Sequence, residues 1–187
     1  MSSDFEKTLR RLKPEKHRQT LKRRSDAELT FLGVKSDRPR SFLYDTTVYV
    51  DILQGRFPDS GELLLRATDA WHSTVAENEL LSTCGLLDPA HPQTKDAIRQ
   101  ITGIVDRISQ YRSLAPDREV WHDAGILTGI LARIQGLSKP GRRQILNDAL
   151  IFATARKYGH AVLTRNIADF DLLQQLDPSG RVVFYRV

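Results

Sequence analysis

The stretch ILNDALIFATARKYGHAVLTRNIADF, residues 145–170, decides how the chain folds. Residues 145–158 contain neither proline nor glycine and read as a helix. Gly159 is placed to close it, because a residue without a Cβ takes up the left-handed backbone of a helix end without strain. His160, Ala161, Val162, Leu163 and Thr164 then read as a short buried strand. A helix delivered straight into such a strand is the repeating element of a parallel α/β sheet.

The rest of the sequence continues that alternation. Residues 41–44 read as an apolar strand leading to Asp45, and residues 46–53 as a helix that stops before Gly55 and Pro58. A helix over 60–67, a short strand over 70–72 and a helix carrying Glu77 and Glu79 are expected next. Pro89 and Pro92 bracket a turn, after which Ile98, Ile101, Val105 and Ile108 mark an amphipathic helix. Residues 119–135 give the clearest helix, with Val120, Ala124, Leu127, Leu131 and Ile134 on one face. Gly136, Lys139, Pro140 and Gly141 make the loop that ends it, and 181–187 is a closing strand. The fold class expected is α/β, a mostly parallel central sheet flanked by helices in three layers.

Four acids fall where this topology delivers side chains to one edge of the sheet: Asp45, Glu79, Asp148 and Asp169. In an open parallel sheet the site lies beyond the carboxyl ends of the strands, and Asp45 and Thr164 both stand at that end. Carboxylates crowded together without cations repel one another and resist ionisation, so a bound divalent metal is the simplest account of the cluster. Oxygen-only ligands favour Mg²⁺ or Mn²⁺ over zinc. Read alone, Asp148 near a helix start is stabilised by the helix dipole. Thr74-Val75-Ala76-Glu77 matches a capping box, which gives Glu77 a structural role and leaves Glu79 for the site. Asp51 and Asp171 read as surface charges.

The chain has 187 residues, 40% of them hydrophobic, and a net charge of +5. That is length enough for one domain with a core. Its single cysteine, Cys84, excludes an intramolecular disulfide. The apolar run at 126–134 is too short and too interrupted to span a bilayer, and the amino terminus lacks the apolar core of a signal peptide. A cytoplasmic location is expected, with no membrane partner. Charge is uneven: residues 1–40 hold twelve Lys and Arg against six Asp and Glu, while the remainder sums to −1. Two domains of behaviour are expected, a basic N-terminal arm over 1–40, partly helical or disordered, and a nuclease-like domain over 41–187. Phe5, Leu9 and Leu12 predict a short helix before Pro14; a second polar helix is expected over 15–24 and a linker over 36–40. Such an arm is either a collector of RNA or DNA through phosphate neutralisation or a solubilising tail.

Four blocks in this order and spacing resemble the PIN domain, and within it the VapC-like toxins of bacterial toxin–antitoxin pairs. They are Tyr44-Asp45-Thr46-Thr47, Ser73-Thr74-Val75-Ala76-Glu77-Asn78-Glu79-Leu80, Asn147-Asp148-Ala149 with Ala153 and Ala155, and Thr164-Arg165-Asn166-Ile167-Ala168-Asp169-Phe170. The resemblance covers about residues 42 to 187. It implies a PIN-like fold, an Mg²⁺ site formed by Asp45, Glu79, Asp148 and a fourth-block acid, Thr164 hydrogen-bonding inside that site, and endoribonuclease activity. It also implies an antitoxin that inserts an arginine among the acids. Many family members carry an aspartate where this chain has Asn166, so the fourth acid is expected from Asp169, with Asp45 and Asp148 anchoring the metal. Family members usually begin within a few residues of their first strand, so the arm is a second departure.

No Ser-His-Asp or Cys-His arrangement is evident, which leaves a metal-bound water as the expected nucleophile and 5′-phosphate and 3′-hydroxyl ends as the products. Arg142, Arg143 and Arg165 are candidates for binding flanking RNA phosphates. Gly125 and Gly129, four apart on one helix, are compatible with a homodimer. Two other readings compete. A phosphatase with an aspartate nucleophile wants a second acid two residues on, where this chain has Thr47. A catalytically weakened RNA-binding PIN module, regulated by a protein partner, is the alternative that Asn166 raises.

Overall fold

The computed structural model describes residues 4–33, 41–59, 61 and 68–187; apart from Gly61, the expected helix over 60–67 and the linker over 36–40 lie outside the described residues. In chain order the elements are α1 (Asp4–Leu12), β1 (Ser41–Tyr44), α2 (Thr46–Leu53), β2 (Asp69–Ser73), α3 (Thr74–Leu86) and α4 (Thr94–Val105). They continue as β3 (Ser113–Leu114), α5 (Arg118–Gln135), α6 (Lys139–Tyr158), β4 (Ala161–Thr164), α7 (Ile167–Leu176) and β5 (Arg181–Phe184). The strands form one sheet in the order β3-β2-β1-β4-β5, and every pairing is parallel. Phe42, Leu43, Val162 and Leu163 in its centre are fully buried, as continuous apolar strands covered on both faces must be.

From β1 the chain first moves outward to β2 and β3, then returns past β1 to β4 and β5. With right-handed crossovers, that reversal places the helices of the two halves on opposite faces of the sheet. It also makes the gap between the carboxyl ends of β1 and β4 the topological switch point, where ligands of open α/β sheets bind.

The helix α6 lies at the heart of the fold. Every residue from Asp148 to Ala155 is buried, and α5 packs along it. Gly159, at φ 75°, ends it as the sequence predicts. Its start differs: the helix begins at Lys139 rather than near Ile145, with Pro140 inside the first turn. A proline is accommodated there because the N–H it lacks has no intrahelical acceptor. Asp148 consequently sits in the third turn, beyond the reach of the helix-end charge, which acts only on the first turn. The dipole explanation of Asp148 therefore fails.

The turn into β5 depends on Gly180. A Cβ there would stand 2.2 Å from Cζ and 2.6 Å from Cε2 of Phe152, a ring only 1% exposed and walled in by the core. Gly180→Ala is expected to cost about 1–3 kcal/mol through overpacking. Urea titration checks this, and an unchanged midpoint would show that the ring has room to move.

Residues 4–32 pack against the domain rather than standing off it. The predicted first helix forms, and Leu12 is 1% exposed within the core. The second predicted helix does not: Pro14–Lys16 make a single 3-10 turn, and residues 17–25 follow without regular structure up to a second 3-10 turn at Asp26–Glu28. Its backbone finds partners on the domain instead. Gln135 Nε2 donates to Leu21 O at 2.9 Å, Gln175 Nε2 to Lys22 O at 3.0 Å, and Arg24 N to Asp171 Oδ2 at 2.9 Å. Further on, Phe184 N donates to Thr30 O and Leu32 N to Phe184 O, at 2.8 and 2.7 Å, so residues 30–32 lie parallel to β5 and cover that edge of the sheet.

Candidate active site

Asp45 follows β1 directly and is the N-cap of α2. Its Oδ2 accepts from the hydroxyls of Thr47 and Thr164, each at 2.7 Å, and its Oδ1 has no hydrogen bond among the described residues. Thr164, the last residue of β4, is completely buried and also receives Asn166 N at 2.8 Å. One threonine therefore ties together the carboxyl ends of the two strands that border the switch point.

Asn166 caps α7 through Asp169 N, and its Nδ2 reaches Asp169 Oδ2 at 2.9 Å and Asp148 Oδ2 at 3.3 Å. It thus holds two of the predicted acids side by side with a neutral donor. The last acid, Glu79 on α3, accepts from Thr46 at Oε2 and from Asn147 Nδ2 at Oε1, the latter at 2.7 Å. All four acids named from the sequence meet in one place, and the neutral donors Thr46, Thr47 and Asn147 hold them there. No sequence pattern assigned a role to those three; each is the immediate chain neighbour of a site residue or two positions from one.

The electrostatics distinguish this cluster from the rest of the interior. Among the described residues six aspartates are buried: Asp45, Asp51, Asp123, Asp148, Asp171 and Asp177. Asp51 pairs with Arg165 and Arg56, Asp123 and Asp177 with Arg11 and Arg156, and Asp171 with Arg24. Asp45 and Asp148 have no ion pair among the described residues. Burial, and then the charge of Glu79, raise the Asp45 carboxyl above its ordinary range despite the hydrogen bonds from Thr164 and Thr47. Burial followed by repulsion from Asp45, Asp169 and Glu79 pushes Asp148 well above it.

A group of three or more His, Cys, Asp and Glu side chains already arranged to hold a metal is absent among the described residues. Mg²⁺ needs no such cage: it retains several waters and binds through one or two carboxylates. The donor set fits it, since Asp45 Oδ1 is uncommitted and neither Asp45 nor Asp148 has a positive partner among the described residues.

Several sequence-level expectations are corrected here. Asp51 and Asp171 are fully buried, not surface charges. Arg165 Nε lies 2.7 Å from Asp51 Oδ2, so its charge is engaged within the protein. Its backbone N donates to Thr47 Oγ1 at 3.1 Å, steadying the Asp45 contact. The N-cap of α3 is Ser73, which accepts from Val75 N at 3.2 Å, rather than Thr74, so no capping box includes Glu77. Glu77 accepts from Ser113 Oγ on β3 instead.

The two glutamates are expected to respond differently to the same change. In Glu79→Gln both contacts can persist, with Oε1 accepting from Asn147 and Nε2 donating to Thr46, but the negative charge is lost; if the site works through a bound metal, activity should fall about 10- to 100-fold, the usual cost of disturbing groups that orient metal ligands. Glu77→Gln keeps an acceptor for Ser113 and should leave activity nearly unchanged. Parallel cleavage assays at matched melting temperature decide between this pattern and its reverse.

No protein-family model and no curated protein sequence matches the chain. Solved structures with the same fold are found. One is VapBC2 from Rickettsia felis bound to a promoter DNA fragment, with 18% identity, 79% of this chain and 99% of that one covered, and a TM-score of 0.55. FitAcB from Neisseria gonorrhoeae aligns at 20% identity over 76% and 96% of the two chains, with a TM-score of 0.55. VapBC-5 of Mycobacterium tuberculosis, a member of the VapBC toxin–antitoxin family, aligns at 21% over 80% and 100%, with a TM-score of 0.51. Nearly the whole of each matched chain is covered, whereas about a fifth of this chain is left over, a share comparable in length to the segment ahead of β1. The fold is PIN-like, as the sequence resemblance implies.

Proposed function

We propose that this PIN-like chain is a Mg²⁺-dependent endoribonuclease acting as the toxin of a VapBC-like pair. One observation carries the reading: of the six buried aspartates among the described residues, the two without a cation there are the two at the switch point, Asp45 and Asp148. Each of the other four has an arginine. A metal held by these two carboxylates would lower the pKa of a water, neutralise charge on the scissile phosphate and yield 5′-phosphate and 3′-hydroxyl ends. The chain's own residues do the positioning. Thr47 and Thr164 fix Asp45 by one oxygen, Asn166 aligns Asp148 with Asp169, and Thr46 with Asn147 orients Glu79 at the rim.

The same vacancy of positive charge suits an arginine from a cognate antitoxin, which would pair with the carboxylates and compete with metal. The described residues include no helix long and apolar enough to cross a membrane, and action on RNA in the cytoplasm is part of this proposal. Gly125 and Gly129 lie exposed on α5 with nothing within 4 Å of an added Cβ, so a second copy has access to that face.

The second reading, an RNA-binding module with weakened catalysis, is favoured by the absence of a ready three-acid cage among the described residues. Cleavage of purified RNA with end-mapping separates the two. The nuclease reading expects cleavage in Mg²⁺ or Mn²⁺, none in EDTA, and 5′-phosphate ends. RNA bound but uncut at every metal concentration would establish the weaker role, and 2′,3′-cyclic phosphate ends would overturn the mechanism.

A further inference from the structure

We propose that the open hollow at the start of α6 is a phosphate subsite that seats the RNA backbone beside the point of cleavage; this rests on the nuclease reading above. The hollow has a volume of about 610 Å³ and is lined by Thr128 of α5 and by Lys139, Pro140, Arg142, Arg143 and Leu146 of α6. Lys139, Arg142 and Arg143 are exposed and make no ion pair among the described residues. Arg165, the other cation named for RNA binding, is bound to Asp51.

Two further features mark the hollow as a place for an anion. Ser138, the N-cap of α6, makes no side-chain cap hydrogen bond, so donors of the first turn are open at the positive end of a long helix. Thr128 Oγ1 is buried in the wall without a hydrogen-bond partner among the described residues. Buried hydroxyls are nearly always satisfied in folded proteins; a ligand oxygen reaches this one only if the Thr128 side chain turns, so the three unpaired cations carry the subsite.

Position connects the hollow to the acids. Lys139, Arg143 and Asn147 follow at four-residue steps and share one ridge of α6. Asn147 is the residue that holds Glu79. Arg143 precedes Asn147 by one turn on this ridge, about 6 Å along the helix at 1.5 Å per residue, roughly the length of one nucleotide. A strand with one phosphate at Asp45 and Asp148 thereby lays the next against Arg143 and Arg142. Such a shelf is also an electrostatic requirement, because four clustered carboxylates repel a polyanion unless cations beside them hold it.

The test is binding of a fluorescein-labelled single-stranded oligoribonucleotide to the full chain, in EDTA to prevent cleavage, over a series of salt concentrations. Arg142→Ala/Arg143→Ala is expected to weaken binding whatever the RNA sequence and to reduce the magnitude of the salt slope by about 1.4, at 0.7 per phosphate contact on a single strand. Lys95→Ala/Arg118→Ala, equal in charge but away from the hollow, should leave the slope unchanged. Equal effects from both pairs would overturn the subsite in favour of diffuse attraction. An unchanged slope together with altered self-association or loss of an acidic partner protein would make the hollow a protein-docking surface instead. Either result leaves the nuclease reading intact, whereas a wild-type chain that binds no RNA would overturn that reading as well.

Discussion

Asp148→Asn is expected to abolish RNA cleavage and, in the same protein, to raise the melting temperature measured in EDTA. The loss follows from removing one of the two carboxylates proposed to hold the metal, whose charge stabilisation would be worth several kcal/mol. At 1.36 kcal/mol per tenfold, that is a fall of ~10²-fold or more. The gain in stability follows from the direction in which the Asp148 carboxyl is shifted. Burial and three neighbouring negative charges raise it well above its ordinary value, so the ionised form is less favourable in the folded state than in the unfolded one. Stability from this group is fully present below the unfolded value and is lost as the pH rises through the raised folded value. At neutral pH, above the unfolded value, this group therefore works against the metal-free fold, and an uncharged isostere removes the penalty. Each 1 kcal/mol of relief appears as about 2–4 °C in a chain of this size. Added Mg²⁺ should stabilise the wild type more than the variant, by mass action on the folded state. A variant that still cleaves RNA, or one that melts lower in EDTA, would contradict the assignment of Asp148.

Arg24→Ala is expected to produce the largest loss of stability of any single charge change in the N-terminal segment. Asp171 is fully buried, and Arg24 is its only cation among the described residues, with Nε at 2.6 Å. Removing one partner of a buried pair leaves an uncompensated charge and costs about 3–5 kcal/mol. Arg24 is itself 28% exposed, which places the effect near the lower end, with a fall in melting temperature of roughly 6–12 °C. Asp171→Asn in the same chain should recover most of the loss, because asparagine leaves no buried charge. Leu12→Ala, which empties a site 1% exposed, should cost about 2–5 kcal/mol on its own. Thermal melts of the three variants check these values. Arg24→Ala melting with the wild type would mean that residues 4–32 are dispensable to the fold and that their charge serves RNA instead.

The sheet and the acids were readable from the sequence because both depend on local pattern. Buried strands such as 41–44 and 161–164 are continuous apolar runs, and the residues that follow them fall at the carboxyl edge of a parallel sheet whatever else the chain does. Asp45 and Thr164 needed no more than that to be placed, and Glu79, Asp148 and Asp169 followed from the blocks that contain them. The element bounds that went wrong did so for equally local reasons. A Pro-Gly pair reads as a loop although a proline is harmless in a first helical turn, and Thr74 competes with Ser73 as a cap on equal chemical terms.

What the sequence determined by itself was therefore the succession of strands and helices, the parallel sheet and the set of acids brought to its edge. Only the tertiary structure decided which of the chain's carboxylates are neutralised. Asp51, Asp171 and Asp148 are indistinguishable as residue types, yet the first two meet Arg165 and Arg24 across 114 and 147 residues of chain while the third meets none among the described residues. Pairing of charges over such separations is set by how helices and extended segments pack, which no local period encodes. The same packing converts part of the +6 charge of the N-terminal segment from an apparent lure for nucleic acid into internal partners for buried aspartates.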